Sequence, residues 1–218
     1  MNKNGLKAKV IFLDLDGTIV DSKEAYIEAA RIAFQALGKK PLESKIAFEI
    51  PRRLERGLTI SDLIDGGTQK FLSKYFEAYY SITREKTKLI PNVSATLETL
   101  SAKTKLVLIT MRYVPRQTII KELEWFGISK YFTHFVTALD TSKPKPSPEA
   151  LIACVQAIGV ETRECLIAGD SVNDVRAGKA AGARTVAVLS GLFQCEELFK
   201  ESPDLIINDV NALPKFIK

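Results

Sequence analysis

The chain has no cysteine pair to build with. Its three cysteines, Cys154, Cys165 and Cys195, are odd in number, and none stands in a C-x-x-C. That argues against a disulfide frame or a zinc site and for free thiols in a reducing compartment. Cys154 and Cys165 lie in apolar surroundings, where a thiol is an inert core residue. Long apolar runs are missing too: none approaches the roughly 20 residues of a membrane span. The first apolar run, Val10–Leu13, is too short for the core of a secretory signal. The expected compartment is the cytoplasm, with no membrane partner. There is also no dense basic stripe interleaved with aromatics. The net charge is only +5, and much of it sits at the ends, in Lys3, Lys7, Lys9, Lys215 and Lys218. Nucleic acid is therefore not an expected partner, and the charge favours small anions at most. Neither G-x-G-x-x-G nor G-x-x-x-x-G-K-[ST] occurs, which removes the usual nucleotide loops. Internal repeats and low-complexity segments are absent as well.

What is present is enough apolar residue to bury a sizeable core. The 218 residues are 46% hydrophobic, which suits one large domain or a core with a small insert. Short apolar runs alternate with helical patterns. Val10–Leu13, Lys105–Thr110, Phe135–Val136, Glu164–Ala168, Arg184–Leu189 and Asp204–Ile207 read as strands. Between them, helices are expected over Pro115–Phe126, Ser147–Ile158 and Ser171–Ala181, closed by Gly127, Gly159 and Gly182. Residues 21–88 differ. They read as all-helical, with a break at Pro51 and an apolar aromatic stripe, Phe71, Tyr75, Phe76, Tyr79 and Tyr80, at helix spacing. The expected fold is α/β, a doubly wound parallel sheet of the Rossmann kind with an inserted all-helical segment. The core takes residues 1–20 and 89–218, and the insert takes 21–88.

The chemistry gathers at the strand ends. The first strand runs straight into Asp14-Leu15-Asp16-Gly17-Thr18. Alone, a D-x-D at a turn more often caps neighbouring N–H groups. Here, however, Thr110 follows the second strand, and Asp170 with Asp174 follows the fourth. All would share one edge of a parallel sheet, where open α/β sheets place their ligands. Lys143-Pro144-Lys145-Pro146 leads into the next helix, its prolines stiffening the loop. Carboxylates, an ammonium group, a hydroxyl and a glycine turn make the inventory for a hard divalent cation and a phosphoryl group.

These residues resemble the four motifs of the haloacid dehalogenase superfamily. Asp14-Leu15-Asp16-Gly17-Thr18, Thr110, Lys143 and Gly169-Asp170-Ser171-Val172-Asn173-Asp174 occur in the right order, across residues 10 to about 188. Leu13 to Ser22, with Ala177 to Ala183, is most similar to the phosphoglycolate phosphatase-like branch. One departure is Met111, where many relatives carry asparagine. The resemblance implies that 21–88 is a helical cap. It implies an Mg²⁺-dependent phosphatase acting on a small phosphorylated substrate, as a monomer or homodimer. Asp14 would be the nucleophile and Asp16 the acid and base. Thr110 and Lys143 would steady the transferring group, with Lys145 facing solvent. Asp14, the Asp16 carbonyl, Asp170 and Asp174 would serve the metal. A phosphomutase of the β-phosphoglucomutase type is the alternative. A dehalogenase is disfavoured, having no use for Asp16 as an acid, and so is a non-catalytic binding protein. In the insert, Arg52, Arg53 and Arg56 read either as solvated charge or as a clamp for a carboxylate or second phosphate of the substrate.

Overall fold

A computed structural model describes residues 6–218; the polar lead-in of residues 1–9 falls partly outside that range. From β1 (Val10–Leu13) the chain turns through β2 (Val20–Asp21). It then enters five helices, α1 (Lys23–Ala36), α2 (Ser44–Ala47), α3 (Glu49–Glu55), α4 (Ser61–Ile64) and α5 (Thr68–Lys86). It returns by β3 (Lys88–Leu89). Strands and helices then alternate: α6 (Val93–Ser101), β4 (Lys105–Ile109), α7 (Arg116–Trp125), β5 (Phe132–Val136) and α8 (Glu149–Ile158). After these come β6 (Cys165–Gly169), α9 (Val172–Ala181), β7 (Arg184–Val188), α10 (Cys195–Lys200) and β8 (Leu205–Ile207). The chain forms two compact units, Met1–Val20 with Leu89–Lys218, and Asp21–Lys88.

The first unit holds a six-stranded parallel sheet in the order β5-β4-β1-β6-β7-β8. β1 sits inside it, between β4 and β6, and all four of its residues are fully buried. That is why it reads as an unbroken apolar run rather than an alternating one. On one face Phe12, Val107, Ile109 and Ile167 pack against Leu151, Cys154 and Ala177 of α8 and α9. Register decides where the chemistry falls. Leu13 stands opposite Leu108 on one side and Ala168 on the other. Asp14, Thr110 and Asp170 therefore emerge together at the C-terminal edge.

The second unit has a core of its own. Phe34 of α1 meets Phe71 of α5 at 4.9 Å between ring centroids, and Phe71 meets Tyr75 at 5.9 Å. Ile50, Ile60 and Ile64 complete the cluster. The expected break at Pro51 does not occur. Pro51 lies in the first turn of α3, where its missing N–H had no helical partner to lose. The helix before it is the short α2. β2 and β3 pair as a two-stranded ribbon where the chain crosses between units, and at two residues each they carry no readable alternation.

Candidate active site at the sheet edge

Asp14 ends β1, and its N–H still donates to the Ala168 carbonyl at 3.0 Å, continuing the sheet. Its side chain is buried at 10% exposure. A buried carboxylate needs a partner, and the partner is Lys145. The Lys145 ammonium donates to Asp14 Oδ1 at 2.6 Å, to Asp174 Oδ1 at 2.6 Å and to the Ile109 carbonyl at 3.2 Å. Burial pushes the Asp14 carboxyl well above the ordinary carboxylate range, with Lys145 pulling it back. For Lys145, burial alone would favour the neutral amine. The Asp14 and Asp174 carboxylates more than offset that, so its pKa is raised and the ammonium is held charged.

The lysine is therefore not the one expected. Lys143 is exposed, while Lys145 is 3% exposed. The reason lies in the loop. Glu149 accepts from the hydroxyls of Thr141 and Ser142 and from the Ser142 N–H, which ties the strand exit to the surface. Lys143 closes that knot, its N–H donating to Thr141 Oγ1 and its carbonyl accepting from the same hydroxyl. The next turn, with the Ser147 N–H on the Pro144 carbonyl at 3.0 Å, carries Lys145 inward.

Asp170 and Asp174 come from the β6–α9 junction. With Asp14 they offer ligand oxygens within 4.8 Å of one another. Asp174 has structural duties as well. Its Oδ2 accepts from the Ser171 N–H at 3.1 Å, closing the capping box of α9, while Oδ1 takes Lys145. Asp170 Oδ2 accepts from the Leu192 N–H at 3.0 Å. Glycines make room around these groups. A Cβ on Gly169 would lie 2.1 Å from Asp174 Cγ, and one on Gly191 1.7 Å from Asp170 Oδ2. Gly17, at φ +79°, is closed off in the same way by Asp170. Ser190 donates to the Gly17 carbonyl at 2.6 Å, so the loop after β7 is part of the site. The sequence reading passed over this loop, although a Ser-Gly pair at a strand's C-terminal end was there to be read.

The donor set fits a hard divalent cation. Asp14, Asp170 and Asp174 are three buried carboxylates that offer oxygen ligands, and the Lys145 ammonium sits on two of them. The Asp16 carboxylate is not among them. It points to Arg112, whose Nε donates to Oδ2 and Nη2 to Oδ1, both at 2.7 Å. The Arg112 N–H in turn donates to Thr110 Oγ1 at 3.2 Å, leaving the threonine proton for another acceptor. Arg112 was missed from the sequence. Asp21 accepts from the Lys23 N–H at the start of α1. In the helical unit Arg52 pairs with Glu49 at 2.6 Å, and Arg53 donates to both oxygens of Asp62 at 2.6 and 2.8 Å. Arg56 is exposed at the end of α3. The two cysteines expected to be inert are buried, and burial pushes both thiols up, Cys165 to about 11. Among the described residues no helix is long and apolar enough to cross a membrane.

The chain is similar to known proteins. Residues 10–188 match the family described as haloacid dehalogenase-like hydrolase. A phosphoglycolate phosphatase from Escherichia coli K12 is 31% identical, over 93% of this chain and 90% of that protein. One from Pseudomonas fluorescens is 29% identical, over 96% and 79%. Among solved structures, a haloacid dehalogenase-like family protein from Streptococcus pneumoniae superposes with a TM-score of 0.77 at 21% identity, over 93% of this chain and 95% of that one. A superfamily hydrolase from Geobacter sulfurreducens gives 0.72 at 20%, over 99% of each.

Proposed function

Since the chain belongs to the haloacid dehalogenase-like hydrolases, we propose that it is an Mg²⁺-dependent phosphatase for a small phosphate monoester of the phosphoglycolate kind, working through an aspartyl-phosphate on Asp14. The observation that carries this reading is Lys145 bridging Asp14 and Asp174 beside Asp170. Lys145 holds Asp14 by one oxygen and leaves the other to attack phosphorus. As the Asp14 O–P bond forms, the ester P–O bond breaks, and the Asp16 carboxyl gives its proton to the departing oxygen. Water then attacks phosphorus while Asp16 takes its proton, and phosphate leaves Asp14. Thr110 Oγ and the Lys145 ammonium donate to the phosphoryl oxygens. A divalent cation held by Asp14 and Asp170, with the Asp16 carbonyl and Asp174 beside them, would supply the charge that offsets burial of Asp14 and steadies the phosphoryl group. The relatives named phosphoglycolate phosphatase support the substrate class.

The test is phosphate release across a panel of phosphate monoesters, with Mg²⁺ and with excess chelator, for the wild type and Asp14→Asn. Release that needs the metal, prefers small acid phosphates and vanishes in a folded Asp14→Asn protein is expected. Undiminished release in chelator, or from Asp14→Asn, overturns the mechanism. An isomerised sugar phosphate in place of free phosphate would make the protein a mutase.

A further inference from the structure

We propose that Arg112 is a positioning residue that sets the direction of the Asp16 carboxyl, and that Glu122 is the buried anchor that fixes Arg112. The inference rests on Asp16 being the proton donor and acceptor. Three groups stand in a row. The Asp16 side chain is outermost at 14% exposure, with Arg112 at 4% and Glu122 at 5% behind it. Arg112 grips Asp16 with two parallel N–H bonds of 2.7 Å, and its Nη1 donates to Glu122 Oε2 at 2.7 Å.

The geometry of a guanidinium makes this more than charge balance. Its donors are rigidly coplanar, so a fork on both carboxylate oxygens fixes the plane of Asp16 as well as its distance. The root of Arg112 is held too. Its N–H donates to Thr110 Oγ1, and its carbonyl accepts from the Ala138 N–H at 3.2 Å. Glu122 is the costly part. It lies on the buried face of α7 with Ile119 and Leu123, where an acid is paid for only by a paired cation. A second carboxylate behind the guanidinium keeps it from swinging toward solvent or along the loop. A turn that had only to neutralise Asp16 would not need that anchor.

Asp16 opens the turn at residues 17–19 and carries a short side chain, so its proton reaches the leaving oxygen only from one orientation. Losing Arg112 should therefore harm transfer to leaving groups that need a proton and largely spare those that do not. The enzyme, with Mg²⁺, is assayed on ethyl phosphate, whose alkoxide must be protonated, and on p-nitrophenyl phosphate, whose phenolate departs as an anion. Neither carries a carboxylate that Arg112 could bind directly. The readout is the ratio of kcat/KM for the two, which reports on the first transfer step.

Arg112→Ala should lower the ethyl to nitrophenyl ratio at least tenfold. Glu122→Gln should lower it about three- to tenfold, and Arg112→Lys should recover part of the loss. Glu122→Gln is close to isosteric and keeps the test alive if Arg112→Ala does not fold. Asp16→Asn, measured alongside, should show the largest fall in the ratio. If Asp16→Asn shows a fall and the Arg112 and Glu122 variants lose both substrates equally, or lose nothing, Arg112 does not position Asp16 and the inference fails alone. If Asp16→Asn leaves the ratio unmoved, the reading of Asp16 fails and takes the inference with it.

Discussion

Lys143 and Lys145 are two positions apart and carry the same charge, yet only one is part of the site. Lys145→Ala would leave the Asp14 and Asp174 carboxylates facing each other in a buried pocket. Breaking a buried ion pair from one side typically costs about 3–5 kcal/mol, so a fall in denaturant midpoint of that size is expected, with no detectable turnover. Lys143→Ala removes an exposed charge and should stay within about 0.5 kcal/mol of the wild type, with activity within about twofold. The reverse pattern would return the catalytic role to Lys143. This pair also shows where the sequence stops being legible. Asp14, Asp16, Thr110 and Asp170 could be read because each follows an apolar strand, and strand ends in a parallel sheet share an edge. A lysine on a proline-rich loop has no such frame. Which of the two turns inward is decided by Glu149 gathering Thr141 and Ser142, a contact set by where α8 starts. Arg112 lay outside the motif residues that drew attention. Its clue was Glu122, an acid between Ile119 and Leu123 on the apolar side of a helix.

At the scale of elements, the site is built from turns that have no room to spare. The loop after β7 presses Gly191 against Asp170 and brings Ser190 to the Gly17 carbonyl. Gly191→Ala would put a methyl group 1.7 Å from Asp170 Oδ2, and that oxygen is already held by the Leu192 N–H. Something must shift, and overpacking of this kind costs about 1–3 kcal/mol. The expected result is a folded protein whose Mg²⁺ affinity, by calorimetric titration, is at least tenfold weaker. Wild-type affinity would show that the loop yields and Asp170 does not. A second element test concerns the 3₁₀ turn after β5. Thr137 Oγ1 accepts from the Leu139 N–H and donates to Asp140, while Asp140 Oδ2 accepts from the Thr137 N–H. This box starts the segment that carries Lys145. Thr137→Ala should cost about 1 kcal/mol, read as a lower denaturant midpoint at unchanged slope. Neither box nor loop follows from apolar periodicity. Both depend on side chains meeting backbone groups, and for the β7 loop those groups are far apart in the chain.

For the whole molecule, the carboxylate cluster is a place where stability has been given up. Asp14, Asp170 and Asp174 gather within 4.8 Å of one another, the Lys145 ammonium sits on two of them, Asp14 and Asp174, and burial works against the charge on Asp14. A bound divalent cation should therefore raise the stability of the folded chain by mass action. At 100 times its dissociation constant the gain is about 2.7 kcal/mol. For a chain of this length that is about 5–10 °C in Tm. Asp170→Asn separates this linkage from ordinary destabilisation. The amide oxygen can still accept from the Leu192 N–H, so the loop after β7 keeps its contact. The substitution removes one of three like charges, so the metal-free variant should melt no lower than the metal-free wild type. Adding Mg²⁺ should then leave its Tm where it was. The comparison is made by thermal unfolding at constant ionic strength, with Na⁺ replacing Mg²⁺ in the control, so that general screening is the same in both arms. A wild-type Tm that ignores Mg²⁺, or an Asp170→Asn protein that still responds to it, would mean that these carboxylates do not hold the ion. In that case Lys145 would be what holds Asp14 and Asp174 together, and the loop after β7 what holds Asp170.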